Sequence, residues 1–168
     1  NRLFFVTPEG ILGHYDKRHL FFLSGENDAF SCGDRRVIVS FRGVNILLSV
    51  CYDLRFPVWL RNSQGAYDLM INVANWPDVR IETAYALTKA RAIENLSFAA
   101  FCNRTGDDDK CHYNGRSAIF NSKGDDISCE VQVGGFSFIT AELDMQQLME
   151  FKRNFPAYHD SDNFKIEM

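Results

Sequence analysis

The sequence predicts a layered α+β domain. Three observations carry that reading. Short strand-like runs recur along the 168 residues, one segment alone is long enough for a substantial helix, and the two kinds of element are interleaved. The interleaving excludes a helical bundle without selecting a topology. A hydrophobic content of 46%, with fifteen Phe, is sufficient for one core.

Residues 3–6, the turn Pro8-Glu9-Gly10 and residues 11–15 read as a hairpin, because β-formers flank a Pro/Gly turn. Residues 24–34, rich in Gly, Asn and Asp, read as a polar loop. Residues 37–41, the turn Arg42-Gly43 and residues 44–50 form a second hairpin that runs into Cys51. Pro57 opens a short helix over 57–64, since a first-turn N–H has no intrahelical partner to lose. Residues 69–73 show no polar alternation, as in a strand covered on both faces. The longest helix starts at Asp78 or Glu82 and runs through Glu94, with Ala84, Leu87, Ala90, Ala92 and Ile93 at helical spacing. Residues 98–102 read as a strand and 106–114 as a polar loop. Residues 117–121, the turn Ser122-Lys123-Gly124 and residues 127–132 read as a third hairpin, followed by a strand over 136–143. Asp144 caps a last helix, 145–154, which Phe155-Pro156 stops.

The net charge is −4 and carries no basic stripe, which argues against nucleic acid. There is no polybasic block and no apolar run long enough for a bilayer, which argues against a membrane. Five cysteines form an odd, irregular set, expected as reduced thiols in the cytoplasm rather than a secreted disulfide framework. The chain opens on Asn1 with a strand already under way, so upstream residues are expected to have been lost.

The chemistry is read from Cys51 and Lys17. Cys51 lies between an apolar strand and a short helix, where the helix's positive end would favour thiolate. Asp53 and Arg55 follow closely, so the segment is expected to leave the core; the alternative is an inert core thiol. Lys17, with Arg18 and His19, is wedged between two apolar stretches, either as a surface turn or as a cleft wall. A lysine beside a thiolate equips a site for acyl transfer, with a nucleophile and an oxyanion stabiliser. Glu26 reads as a loop carboxylate. Arg91 and Glu94, three apart on the helix, read as a structural ion pair. Asn75-Trp76-Pro77 follows a buried strand, where loops commonly bind ligands; Trp76 is either a pocket wall or a cap on the core. Cys102, Cys111 and His112 fit no zinc spacing, Asp107-Asp108-Asp109 fits no EF-hand, and no phosphate loop is present.

Six segments in one order resemble the nitrilase, or carbon–nitrogen hydrolase, superfamily. They are Tyr15-Asp16-Lys17-Arg18-His19-Leu20-Phe21, Ser49-Val50-Cys51-Tyr52-Asp53-Leu54-Arg55-Phe56-Pro57, Asn72-Val73-Ala74-Asn75-Trp76-Pro77, Lys89-Ala90-Arg91-Ala92-Ile93-Glu94-Asn95, Cys102-Asn103-Arg104-Thr105-Gly106 and Gly115-Arg116-Ser117. The lysine motif, the Ala-Asn-Trp-Pro loop and Phe155-Pro156-Ala157 look most like the omega-amidase branch. The resemblance implies an αββα sandwich that pairs as a homodimer or higher oligomer, and hydrolysis of the terminal amide of 2-oxoglutaramate or 2-oxosuccinamate. It implies Cys51 as nucleophile, Lys17 and the backbone N–H of Tyr52 as oxyanion donors, and Glu26 as a supporting carboxylate. Trp76, Arg55 and Asn75 are expected at the substrate, with Arg55, Arg104 and Arg116 as candidates for its second carboxylate. No metal or organic cofactor is implied. The family's general-base glutamate lies upstream of the lysine motif and has no counterpart here; Glu9, in a turn, does not match it. The chain is therefore expected to be the C-terminal portion of one such domain, inactive alone and completed by the upstream segment. Another amidase or nitrilase, or a silent assembly subunit, are the alternative readings.

Overall fold

A five-stranded sheet positions everything that follows. The computed structural model describes residues 1–167. In chain order its elements are a hairpin of β1 (Arg2–Thr7) and β2 (Gly10–Asp16), a single helical turn α1 (Glu26–Ala29), then β3 (Ile38–Phe41) and β4 (Val44–Val50). After them come α2 (Pro57–Leu60), β5 (Leu69–Ala74), α3 (Ile81–Glu94) and β6 (Phe98–Asn103). The chain continues through β7 (Thr105–Asp107), β8 (His112–Asn114), β9 (Ala118–Phe120), β10 (Cys129–Val133), β11 (Phe136–Thr140) and α4 (Met145–Asn154).

The sheet order is β3-β4-β5-β6-β9. The inner strands β4, β5 and β6 are parallel, and both outer strands run antiparallel to their neighbours. Parallel strands need crossover connections, which α2 and α3 supply. The β3–β4 turn is tight because Arg42 and Gly43 both adopt positive φ, 50° and 79°, the geometry that matches strand twist.

The two sheet faces differ. One, carrying Leu47, Ser49, Met70, Asn72, Phe101 and Phe120, is buried beneath α3, whose Tyr85 ring meets Phe120 edge-on at 4.8 Å. The other is covered near β3 by the β1–β2 hairpin, where Gly13 approaches so closely that a Cβ would stand 2.7 Å from Val39. Towards β6 this face opens, with Ile71, Val73 and Ala100 half-buried and Cys102 exposed.

Several sequence expectations are revised. The 57–64 helix shrinks to Pro57–Leu60, because the chain leaves helical geometry at Arg61, whose ψ is 130°, and turns again at Gln64 with positive φ. The 24–34 loop contains α1, and the 106–114 loop contains the short β7–β8 pair. The third hairpin forms only around its turn, where Ile127 N donates to Ile119 O at 2.9 Å and Phe120 bridges Asp126; β9 pairs along its other edge with β6, and β10 pairs with β11 across the turn at Gly134-Gly135. Local closure at two positive-φ glycines wins there, while Ala118 and Phe120 are worth more buried under α3. On α3 the buried stripe is Ile81, Ala84, Thr88, Arg91 and Ala92, whereas Ala90 and Ile93 are exposed. The helix is turned so that Arg91 faces inward. Asp144 does cap α4, its Oδ1 accepting from Gln147 N at 2.8 Å.

Candidate active site

Cys51 follows β4 at a sharp elbow. Its φ is +46°, a left-handed conformation that a non-glycine residue holds only when its surroundings enforce it. Two sets of contacts enforce it. The Asp53 carboxylate reaches back to accept from Val50 N at 3.1 Å, and the Leu54 carbonyl accepts from Arg91 Nε and Nη2, both at 3.1 Å. Arg91 is itself paired to Glu94 at 2.6 Å, so the long helix clamps the turn that carries the thiol.

Asp53 does not lead the chain into solvent, as its polarity suggested. It is fully buried. Besides Val50 N it accepts from the Tyr15 hydroxyl at 2.8 Å and from His19 N at 3.0 Å, and His19 Nδ1 lies 2.8 Å away. The Tyr15 oxygen in turn accepts from Trp59 Nε1 at 2.9 Å and Arg18 N at 3.1 Å. One carboxylate thus ties the segment before Lys17 to the elbow of Cys51. The signal available in sequence was its place at the third position of a helical turn, where an acid can accept from the preceding backbone. Burial, and then Asp53, push the Tyr15 hydroxyl pKa far up, which keeps it a neutral donor.

Lys17 is a cleft wall, 1% exposed, and not a surface turn. Its Nζ donates to both oxygens of Glu26, at 2.8 and 2.6 Å, and Phe21 N donates to the same carboxylate at 2.9 Å. The loop returns against the lysine segment at Gly33, whose N–H donates to Lys17 O at 2.8 Å; a Cβ there would collide with Asp16 O. Burial works to raise the Glu26 pKa, but the hydrogen bonds from Lys17 and Phe21 outweigh it and hold the carboxyl below its usual range.

Lys17, Glu26 and Cys51 line one cleft of about 650 Å³, with Asn75, Arg80 and Arg104 also on its walls. Beside Cys51 a smaller lobe of about 260 Å³ is walled by Phe21, Tyr52, Arg55, Asn75, Trp76 and Arg80. Burial pushes the Cys51 thiol up, while the Lys17 charge, Asn75 and the Tyr52 N–H pull it down. The expected help from a helix end is therefore weak: the turn after Cys51 is a short 3-10 segment, and α2 is four residues long. Trp76 serves both expected roles at once. Its indole is buried in the core, donates from Nε1 to Arg80 O at 2.9 Å, and presents a face to the lobe. Arg116 is turned away, paired with Glu82 and placed 4.7 Å over Tyr85. Arg80 was not singled out from sequence; a lone arginine in a turn carries no signal.

The carbon-nitrogen hydrolase family profile matches residues 1–153. The chain belongs to that family. An omega-amidase (YafV) of Yersinia enterocolitica is 47% identical over 167 residues, covering 99% of this chain and 64% of that protein. A 2-oxoglutaramate amidase of Bacillus subtilis is 34% identical over 163 residues, covering 95% of this chain and 62% of that protein. The crystal structure of XC1258 from Xanthomonas campestris, a CN-hydrolase superfamily protein with an arsenic adduct in its active site, matches with a TM-score of 0.90. It is 39% identical, and the match covers 99% of this chain and 65% of that one. This carbon–nitrogen hydrolase chain therefore has the nitrilase-type fold. It spans less than two thirds of the length of these relatives. They align along essentially all of it, so they lend no support to the inactivity expected of the chain alone. Among the described residues no helix is long and apolar enough to cross a membrane.

Proposed function

We propose that the whole protein is an omega-amidase, hydrolysing the terminal carboxamide of a small 2-oxo dicarboxylic acid monoamide to the acid and ammonia. The observation that carries this reading is the shared cleft of Cys51 and Lys17, two residues distant in sequence. The omega-amidase and 2-oxoglutaramate amidase relatives support the substrate class.

In this reading the Cys51 thiol gives its proton to a carboxylate and attacks the amide carbon. The C–S bond forms as the C=O electrons move to oxygen, and Lys17 ammonium and Tyr52 N–H hold that oxyanion. Collapse breaks the C–N bond, and the protonated base delivers its proton to the leaving ammonia. Water, deprotonated by the same base, then cleaves the thioester and restores the thiol. Glu26 is poorly suited as that base, because both its oxygens are engaged by Lys17 and its pKa is held down. Glu26 positions the ammonium instead, and the base is the glutamate that the family resemblance sets upstream of the lysine motif. Neither a metal nor an organic cofactor enters these steps. We place the protein in the cytoplasm as a homodimer; five free thiols accord with a reducing compartment.

Ammonia release from 2-oxoglutaramate by the whole protein tests the reading. Cys51→Ala should abolish it with folding intact, and Lys17→Met should lower kcat by about a hundredfold, the scale of one lost oxyanion donor. Turnover that survives Cys51→Ala, or a nitrile or unrelated amide strongly preferred over 2-oxoglutaramate, would overturn it.

A further inference from the structure

We propose that the lobe between Arg55 and Arg80 is the subsite for the substrate's distal carboxylate, and that Arg80 sets specificity for a dicarboxylic monoamide. The inference rests on the amidase reading above and adds where the non-reacting end of the substrate binds.

Charge distribution is the first observation. The chain carries a net charge of −4. The lobe nevertheless contains two guanidinium groups and, among the described residues, no carboxylate. The wider cleft adds Lys17, Arg104 and Lys110 against Glu26 and Asp108, and Lys17 is already held by Glu26. A cationic recess on an anionic chain favours an anionic ligand and draws it in. Arg104 is a weaker candidate, since its Nη2 donates to Asp107 O at 3.2 Å, its Nη1 lies 3.9 Å from Asp108, and it stacks 4.4 Å over Tyr113.

Construction is the second. Arg55 ends the turn that begins at Cys51, and its guanidinium lies 5.3 Å over the Trp76 ring. Arg80 ends the turn before α3, and its carbonyl accepts from the Trp76 indole. Its guanidinium stands 5.8 Å from the Phe21 ring. One buried tryptophan thus fixes the backbone of Arg80 and the side chain of Arg55 on two sides of a recess that opens at the thiol. Aromatic walls lower the local dielectric and strengthen the attraction of a guanidinium for carboxylate, which Arg can grip with two N–H groups. A monoamide with its reacting carbon at Cys51 would extend its far carboxylate into this lobe.

The test compares 2-oxoglutaramate with the same amide esterified at the distal carboxylate, in the wild type, Arg80→Gln and Arg80→Lys. Arg80→Gln should lower kcat/KM for the acid by about ten- to a hundredfold, mainly through KM, as for loss of a charge-assisted hydrogen bond. It should lower kcat/KM for the ester far less, and Arg80→Lys should recover part of the loss for the acid. A fall of equal size for both substrates, or none for either, would overturn the proposal. A second measurement is independent of turnover: 2-oxoglutarate should protect Cys51 from iodoacetamide, and Arg80→Gln should weaken that protection. Arg80-dependent protection in a wild type that does not hydrolyse 2-oxoglutaramate would refute the omega-amidase reading and leave the subsite standing. Protection unaltered by Arg80→Gln would refute the subsite.

Discussion

Asp53 should be among the most sensitive positions in the molecule, although it performs no chemistry. Its Oδ2 receives the Tyr15 hydroxyl and Val50 N, and its Oδ1 receives His19 N with His19 Nδ1 beside it. The Tyr15 oxygen accepts from Trp59 and Arg18 and gives its one proton to Asp53. Asp53→Ala therefore strands a hydroxyl and two backbone N–H groups in the interior. Each buried unpaired donor costs about 1–3 kcal/mol, and partial relaxation brings the expected sum to about 3–5 kcal/mol. That is a large part of a typical domain's stability of about 5–15 kcal/mol. The isosteric Asp53→Asn should not rescue it. An amide keeps one acceptor oxygen but aims its N–H₂ at a backbone N–H on the other side, Val50 N or His19 N, for an expected loss of about 2–4 kcal/mol. Equilibrium urea unfolding of the whole protein measures both. The same variants should speed alkylation of Cys51, because the contact to Val50 that holds the positive φ is gone. A loss below about 0.5 kcal/mol in both variants, the range of ordinary surface changes, would show that the network does not hold the elbow.

Two further outcomes follow from buried charge. The folded Glu26 carboxyl titrates below its ordinary value of 4.5, so it adds stability above that pH and loses it as the pH falls through the folded-state value. Thermal melts of the wild type and Glu26→Gln, taken from neutrality to about pH 3, should converge on acidification; a constant or widening gap would contradict the ion pair. Lys152, buried on α4, donates to Asp68 at 2.8 Å and to Tyr67 O at 3.1 Å. Lys152→Met should destabilise by about 3–5 kcal/mol by leaving Asp68 uncompensated, and Lys152→Met with Asp68→Asn should recover part of that; an additive double variant in urea unfolding would argue against the pair.

Periodicity and punctuation made much of the scaffold legible. The hairpin before Lys17, the strand that ends at Cys51, and the Asp144-capped helix are local structures, fixed by side chains a few residues apart. How soon the third hairpin ends was not legible, because the pairing of β10 with β11 rather than further along β9, and of β9 with β6, depends on contacts outside the hairpin itself.

Sequence alone determined the residue types and the order of the motifs, and with them the family, and it singled out Cys51 and Lys17 as candidates. Only the tertiary structure decided that a buried aspartate and an inward-turned Arg91 hold the thiol's elbow, that burial opposes the thiolate, and that Arg80 meets Arg55 across one tryptophan. Such facts depend on contacts between segments far apart in the chain, and on water being excluded from them. No local pattern encodes the burial or the partner of a charged side chain.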